Sequence, residues 1–257
     1  MSTAIPLRID TVKAQVSEEE WRTRVDLAAC YRLVARYGWI DSIYTHISAR
    51  VPGTTDQFLL NPYGLMFEEV TASSLVKIDV DGNPIMDTPY ETNNAGFTIH
   101  SAVHMARHDV DCVIHTHTRA GMGVSAQKCG LLPLTQTALR FYGRLSYHDY
   151  EGIALDLDER ERLTADLGTN MAMILRNHGL LTCGRTIPEA FATIYDLEHS
   201  CQAQLAAQVG GELVLPSKAV CERTAAQFHQ PDADVAGQRA WAAMLRLLDR
   251  DNPGYDA

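Results

Sequence analysis

The stretch "CVIHTHT" (residues 112–118) joins an apolar run to two histidines spaced two apart. The run predicts a strand over 110–118, and residues two apart in a strand project from the same face. His115 and His117 are therefore expected to lie side by side. A buried imidazole needs a partner, and neutral imidazole is a good ligand for Zn, Fe, Ni and Cu. Spacing alone leaves two interpretations open: a metal-binding pair, or the polar end of a strand.

A third histidine lies in "ILRNHGLLTCG" (174–184). The pattern over 169–184 predicts two short strands around an "NHG" turn. His178 would project from this turn, where a fixed backbone could aim it into a pocket. The alternative is that Asn177 and Gly179 make the turn and His178 is incidental.

The rest of the chain alternates predicted helices with short strands. Ser17 is the expected cap of the first helix, with Glu20 completing a capping box. The connections between strands are too short for many parallel crossovers, which favours a largely antiparallel α/β arrangement. Residues 1–16 are predicted to form an N-terminal arm, and 17–257 a single domain that includes the C-terminal helices. The expected helices are 17–39, 95–108, 187–211 and 232–251, and the further expected strands are 43–51, 57–62 and 75–85.

Composition narrows the class of protein. The 257 residues carry a formal net charge of −10, which argues against a nucleic-acid partner. No apolar run approaches the roughly 20 residues that a membrane helix needs, and the N-terminus lacks the apolar core of a signal peptide. None of the six cysteines forms a CxxC pair, so free thiols are expected. The sequence predicts a cytoplasmic protein with no membrane partner.

Several of the ten histidines are ambiguous. Three of them recur at positions i, i+4 and i+8 of a predicted helix: His100, His104 and His108. They could be metal ligands, residues that support the ligands, or one solvated face of the helix. The solvated face is the favoured interpretation for His104 and His108. For His100, packing beside the site is favoured over ligation. His46, in the strand "YTHIS", could be an acid or base that faces a pocket.

Taken together, these motifs resemble the class II aldolase/adducin family over roughly residues 17–210. The resemblance rests on the order "THISAR", "NPYGL", "NNAGFTIHSAVH", "CVIHTHT" and "LRNHGLLTCG". It implies a single three-layer α/β/α domain around a central, mostly antiparallel sheet. It also implies a divalent metal held by His115, His117 and His178, with Zn²⁺ foremost and Fe²⁺ or Mn²⁺ as alternatives. The family further implies a homo-oligomer, commonly a tetramer.

The chain departs from the family's aldolases where those enzymes carry their acid and their phosphate loop. The aldolases have a glutamate four residues before the histidine that matches His100, and this position is Gly96 here. Asn94 and Ala95 replace a pair of serines, and the bulky Tyr63 stands in "NPYG". A phosphorylated sugar is therefore disfavoured as the substrate. Asn94, Gly96, Tyr63 and His100 remain the expected substrate-binding positions.

The resemblance implies a metal-dependent lyase that acts on a small-molecule substrate. Decarboxylation or retro-aldol cleavage of a non-phosphorylated oxo- or hydroxy-acid, chelated to the three-histidine metal, fits the residues that remain. His46 and Tyr142 are the candidates for proton transfer, since each offers a transferable proton. Tyr142, in "LRFYGRLSYHDYEG", is the nearest replacement for the tyrosine that the aldolases place downstream of their histidine pair.

Two alternatives stay open on the same scaffold. A three-histidine site can hold Fe²⁺ and activate O₂, which would make the protein a non-haem Fe(II) oxygenase. The chain could also be a non-catalytic, adducin-like interaction module, since "AGF" in place of the acid resembles that branch. The retention of all three histidines counts against the interaction module.

Overall fold

A computed structural model describes residues 9–92, 94–152, 159–230 and 233–257. The side chains of residues 9–11, 94–97 and 233–236 lie outside this description. The statements below refer to the described part of the chain.

One mixed sheet of seven strands forms the centre of the fold. Its order is β3-β2-β1-β4-β7-β6-β5, and every neighbouring pair is antiparallel except β5 and β6. The prediction of a mostly antiparallel sheet is confirmed. The strands are β1 (His46–Arg50), β2 (Gln57–Leu60), β3 (Val76–Asp79), β4 (Cys112–Thr116), β5 (Ser146–His148), β6 (Ala172–Leu175) and β7 (Gly179–Gly184).

Helices cover both faces of this sheet. The helices are α1 (Ile9–Gln15), α2 (Glu18–Arg36), α3 (Asn94–Ala106), α4 (Arg119–Ser125), α5 (Glu159–Leu167), α6 (Ile187–Val209), α7 (Lys218–Phe228) and α8 (Ala233–Asp251), with 3₁₀ helices at Phe67–Glu69 and Ala138–Phe141. The larger core joins α2, α4, α6 and α8 to one face, and a smaller core joins α3 and α5 to the other. The expected three-layer α/β/α class is confirmed.

Alternation along β4 decides which face carries the candidate site. Cys112 and Ile114 belong to the larger core, whereas Val113 belongs to the smaller core beneath α3 and α5. Because side chains two apart share a face, His115 projects on the same side as Val113. The first histidine of "HTH" thus lies in the layer between the sheet and α3.

Strand β1 alternates in the same way, but its inward residues are polar. Ile47 and Ala49 enter the larger core, while His46, Ser48 and Arg50 are buried on the other face. Arg50 donates from Nη2 to the carbonyl oxygens of His104 and Val110, where α3 ends. The bond to His104 satisfies a carbonyl that the end of α3 leaves unpaired, and the bond to Val110 ties the following loop to β1.

The predicted Ser17 cap of α2 is confirmed, whereas the Glu20 carboxylate bonds to other residues than the predicted capping box requires. Ser17 caps the helix, and its hydroxyl accepts a hydrogen bond from the Glu20 amide at 3.1 Å. The Glu20 carboxylate accepts bonds from the buried Arg24 and from Lys77. This carboxylate therefore ties α2 to β3.

The sequence pattern of several helices and one strand was too weak to predict them. Helices α1, α4, α5 and α7 and strand β5 are short, and the sequence analysis did not predict them. Helix α1 lies within the expected N-terminal arm, and its Val12 packs with Trp21 and Ala72. The division of the chain at residue 16 stays a prediction.

All six cysteines are free, and five of them are buried. A search of the described helices finds none with the length and apolar character needed to cross a bilayer.

Candidate metal centre

Strand β4 and the β6–β7 turn bring three histidines together. The Nε2 atoms of His115 and His117 lie 2.8 Å apart, and those of His117 and His178 lie 2.9 Å apart. One nitrogen from each ring fits within a span of 4.8 Å. We call these three residues the histidine cluster. The sequence predicted their proximity, and their role as metal ligands stays a prediction.

The turn that carries His178 needs both of its neighbours. Asn177 has a φ of 56°, in the left-handed region that asparagine tolerates better than most residues. A Cβ atom at Gly179 would collide with the carbonyl oxygen of Thr116 and lie 3.2 Å from Cδ2 of His117. Glycine thus lets the turn approach the end of β4 closely. The two interpretations of "NHG" are compatible, because the turn residues position the histidine.

The hydrogen bonds of the Nδ1 atoms, which point away from the cluster, determine which nitrogens can bind a metal. Nδ1 of His115 lies 2.9 Å from the Leu180 carbonyl oxygen, and Nδ1 of His117 lies 2.8 Å from Oδ2 of Asp41. Both partners are acceptors, so both Nδ1 atoms must carry the proton of the neutral ring. The Nε2 atoms then present lone pairs to each other at close range. A cation between them removes this repulsion, and the donor set fits a divalent metal.

The pKa values of the cluster histidines also favour metal binding. Burial, together with the neighbouring histidines, lowers the pKa of His115 well below its usual value. Burial and His117 lower the pKa of His178 to about 4. Both rings are therefore neutral near pH 7, which is the form that binds a metal.

Asp41 is a residue of the site that the sequence analysis missed. It lies in the loop after α2, and its side chain is 48% exposed. Ser42 follows with a φ of 51°, and the Tyr44 amide donates to the Asp41 carbonyl, so a tight turn presents the carboxylate. No motif marked this position, because the contact joins residues 76 apart that meet only through the tertiary fold.

His46 lies beside the cluster. It is the direct partner of His115 in the ladder between β1 and β4, so both side chains share one face. Its ring is buried, and neither of its nitrogens has a hydrogen-bond partner within the described residues. Burial and the nearby His117 and His178 lower its pKa to about 4. Its predicted catalytic role remains a prediction.

Two histidines of α3 lie deeper, under the sheet. Oγ of Ser48 lies 2.6 Å from Nδ1 of His100 and 2.8 Å from Nε2 of His104. The solvated face expected for His104 is wrong: the residue has 0% exposure and its ring stacks on Phe58 at 4.6 Å. The helical period was right, but the helix turns this face toward β1. His108 is exposed, as expected.

The remaining predicted residues are less close to the cluster. Tyr142 is half-buried at the end of a 3₁₀ helix, and none of its described contacts reaches the three histidines. The Tyr150 ring instead lies 6.3 Å from that of His178. The catalytic role of Tyr142 remains a prediction.

Two of the segments that the sequence predicts to bind substrate lie next to each other. Tyr63 is exposed, and its amide donates to the Glu91 carbonyl at 2.7 Å, which places "NPYG" beside the segment that leads into α3. Asn94 begins α3 and Gly96 lies in its first turn. Their side-chain surroundings fall outside the described residues, so their predicted contact with substrate remains a prediction.

Two cavities of the protein lie away from the histidine cluster. They measure about 440 and 420 Å³ and are lined by Leu134, Gln136 and Phe228 and by Asp26, Arg50 and Arg185, among others. The second lies at the end of β1 away from His46. A metal site depends on converging donor atoms rather than on volume.

Comparison with protein families gives a match over most of the chain. The family described as "Class II Aldolase and Adducin N-terminal domain" matches residues 25–205. A Pseudomonas aeruginosa protein, whose name places it provisionally among the class 2 aldolases, is 58% identical over 248 residues, with 95% of each chain covered. Rat alpha-adducin is 41% identical over 90% of this chain, which spans only 33% of that protein.

Solved structures share the whole fold. An aldolase II superfamily protein from Pseudomonas syringae superposes with a TM-score of 0.91 at 51% identity and covers 96% of this chain and 99% of its own. The L-fuculose 1-phosphate aldolase of Glaciozyma antarctica has a TM-score of 0.81 at 27% identity, with 98% and 96% covered.

Proposed function

The chain belongs to the class II aldolase and adducin family, and we propose that it is a metal-dependent carbon–carbon lyase. The reaction would be a retro-aldol cleavage or a decarboxylation of a small, non-phosphorylated oxo- or hydroxy-acid. The observation that carries this proposal is the pair of outward Nδ1 contacts, from His115 to Leu180 and from His117 to Asp41. These contacts direct the Nε2 atoms of His115 and His117 inward, where Nε2 of His178 lies 2.9 Å from that of His117.

His115, His117 and His178 would hold the ion, with Zn²⁺ as the first choice and Fe²⁺ or Mn²⁺ as alternatives. A bound divalent ion supplies Lewis-acid chemistry, in which it polarises an oxygen and stabilises the negative charge that develops. The buried ring of His115 would also exclude water from one side of the substrate. A small anionic chelator such as an oxo- or hydroxy-acid suits such a site, because neutral imidazoles leave the full charge of the ion to the substrate.

His46 is the residue proposed to move a proton. Its burial and its position opposite His115 place an uncharged imidazole beside the cluster. A neutral imidazole has one N–H donor and one lone pair, so it can give or accept a proton without a prior change of charge. Tyr142 is retained as the alternative proton donor.

The preference for a non-phosphorylated substrate rests on the residues of the expected substrate loop. Asn94 begins α3 and is followed by Ala95 and Gly96, and the exposed Tyr63 lies on the neighbouring segment, so none of these four positions supplies a cation for a phosphate. The Glaciozyma relative is named for a sugar phosphate, so the proposal assigns this chain a different class of substrate.

The test starts with metal content. The chain would be purified without added metal, and about one ion per chain is expected by mass spectrometry of the metals. Oxo- and hydroxy-acids would then be screened for cleavage, with His199→Ala as a matched control because His199 is exposed and stacks on Tyr195. Absence of bound metal, with stability unchanged in His115→Ala, would contradict the proposal. Bound iron with turnover that requires O₂ would favour the Fe(II) oxygenase.

A non-catalytic interaction module is the second candidate, favoured by the identity with alpha-adducin across 90% of this chain. It predicts that replacing the histidines leaves all measurable functions intact. The complete histidine cluster and its outward contacts favour the lyase. A homo-oligomer, in the family a tetramer, and a cytoplasmic location remain predictions, which sedimentation and fractionation would check.

A further inference from the structure

The residue that follows the histidine pair bonds to a buried carboxylate of α6. Oγ1 of Thr118 donates to Oε2 of Glu198, and these two residues are 4% and 2% exposed. Oε1 of Glu198 accepts from Nε2 of Gln202 at 2.9 Å. We call Thr118 and Glu198 the α4 anchor. A buried carboxylate is costly even when it is bonded, and an apolar side chain of similar size would fill the same space, so the fold alone does not require an acid here.

The direction of the hydrogen bond within the anchor follows from geometry. The Gly121 amide donates to Oγ1 of Thr118 at 3.0 Å and caps the first turn of α4. An amide can only donate, so the hydroxyl accepts from Gly121 and directs its own proton to Glu198. One oxygen atom thus joins the start of α4 to α6.

The first turn of α4 contacts the supports of two cluster histidines. The helix begins two residues after His117, so its position fixes the backbone of that ligand. A Cβ atom at Gly121 would lie 2.6 Å from Cγ of Leu180, which shows how closely the turn packs on β7. The carbonyl oxygen of Leu180 is the partner of Nδ1 of His115. A shift of α4 would therefore displace both the backbone of His117 and the acceptor that orients His115.

The last turn of α4 contacts the support of the third histidine. The carbonyl oxygen of Ser125 accepts a hydrogen bond from the Asn177 amide at 3.3 Å, and Asn177 precedes His178 in its turn. Helix α4 has only seven residues, and short helices depend on packing and caps for their stability. One short helix therefore links the three histidines, and the anchor ties that helix to the long helix α6.

We propose that Thr118 and Glu198 are positioning residues of the metal centre, which fix α4 and thereby the spacing of the three histidine ligands. The inference rests on the proposed function, since it takes the histidine cluster to hold a metal ion. Asp41 orients the ring of His117, whereas the anchor fixes the backbone that carries this ring.

Thr118→Val removes the hydroxyl and keeps the shape of the side chain. We expect Zn²⁺ affinity to fall about 10–100-fold, the effect typical of a lost supporting partner, as measured by competition with a chromophoric chelator. Thr118→Ser keeps the hydroxyl and should bind Zn²⁺ as the parent does. Thr193→Val is the matched control, because Thr193 is 3% exposed on α6 and its hydroxyl donates to the Glu189 carbonyl rather than to an anchor of α4.

Glu198→Leu separates the anchor from the helix cap, because it leaves the bond between Thr118 and the Gly121 amide. Zn²⁺ affinity should again fall about 10–100-fold, and the visible absorption of the Co²⁺-loaded chain should change with the geometry of its ligands. In the metal-free chain, the amides of α4 should exchange with solvent faster than in the parent. Glu198→Gln should keep the parent's affinity, since its amide oxygen can still accept from Thr118.

A comparison of stability with metal binding separates positioning from a purely structural role. Urea denaturation of the metal-free chain should show a loss of stability in both Thr118→Val and Thr193→Val. If Zn²⁺ affinity then stays unchanged in Thr118→Val, or falls equally in Thr193→Val, the proposal is overturned while the lyase stands. Parental affinity and exchange in Glu198→Leu would overturn it as well. A parent chain that binds no Zn²⁺ would instead count against the proposed lyase, and the anchor would lose its role with it.

Discussion

The histidine cluster and a second buried group, the interior relay of Ser48, His100 and His104, lie in one layer of the fold, between the sheet and α3, yet their rings are arranged for different chemistry. In the cluster, Nδ1 of His115 and of His117 bonds outward to a carbonyl and a carboxylate, and the Nε2 atoms converge. In the relay, a hydroxyl separates His100 from His104 and pairs with both. Histidine proximity is thus common to both groups and distinguishes neither.

The difference lies in the partner of the second nitrogen. An outward acceptor fixes the proton on Nδ1 and leaves a lone pair for a metal. A bridging hydroxyl supplies the missing donor or acceptor itself, so the ring needs no ion. A metal site can therefore be separated from a buried polar network by tracing the hydrogen bonds that leave it.

The largest expected effect comes from removing a member of the cluster. His117→Ala should abolish stoichiometric metal binding, a loss of more than about 100-fold in affinity, since the loss of a supporting partner alone costs roughly 10–100-fold. Competition with a chromophoric chelator would measure it. The exposed His108→Ala is the control. Retention of full metal affinity in His117→Ala would place the ion elsewhere.

Gly179→Ala should come next, because it attacks the geometry of the cluster and leaves the relay alone. The added methyl group would collide with the Thr116 carbonyl, a backbone atom that cannot rotate away. We expect a loss of about 2–3 kcal/mol in the free energy of unfolding, together with weaker metal binding. Urea denaturation would measure the first. Gly237→Ala, in an open position of α8, should be neutral or stabilising, and an equal loss there would remove the steric explanation.

Asp41→Asn isolates the outward contact of His117. The amide keeps the size of the side chain but removes its charge and can turn its NH₂ toward the ring. Metal affinity should fall by roughly 10–100-fold, as for other carboxylates that support a histidine ligand. Asp56→Asn, at another exposed acidic position, should leave the affinity unchanged. An unchanged affinity in Asp41→Asn would mean that the carboxylate does not orient His117.

The sequence predicted the cluster better than the residues around it. Alternation in β4 predicted that His115 and His117 would lie side by side, and the family resemblance implied that His178 joins them. Local period suffices for the pair, since near neighbours in the chain set it, whereas the turn alone left the role of His178 open. The sequence did not indicate Asp41, because its contact with His117 depends on how the loop after α2 folds back over the sheet.

The relay shows where local pattern is insufficient. The helical spacing of His100 and His104 was visible, but the face of α3 that meets the sheet was assigned wrongly for His104. Polar residues at helical spacing usually lie in solvent, and only the polar inward face of β1, with Ser48 at its centre, reverses this expectation. His104 is buried because α3 packs against β1, and the pattern of one helix does not show which element that helix packs against.

Acid should test whether His104 is neutral in the folded protein, through the slope of stability against pH. Burial and the nearby Arg50 charge lower the pKa of His104 to about 3, whereas the unfolded chain has its usual value near 6.5. The unfolded state therefore binds a proton below pH 6.5 that the folded state does not. The contribution of His104 to stability is complete above pH 6.5 and is lost as the pH falls toward its folded pKa.

His104→Phe removes this titration while keeping an aromatic ring against Phe58. In metal-free protein, the free energy of unfolding should fall with acid less steeply in the variant, by about 1.4 kcal/mol per pH unit between about pH 6 and 4. Ser48, Arg50 and His100 are the other polar groups that face the ring, and they remain in place. His199→Phe, at an exposed site, should leave the slope as it is. Parallel slopes for His104→Phe and the parent would mean that His104 is protonated in the folded state, and the relay would then be a charged network rather than a neutral one.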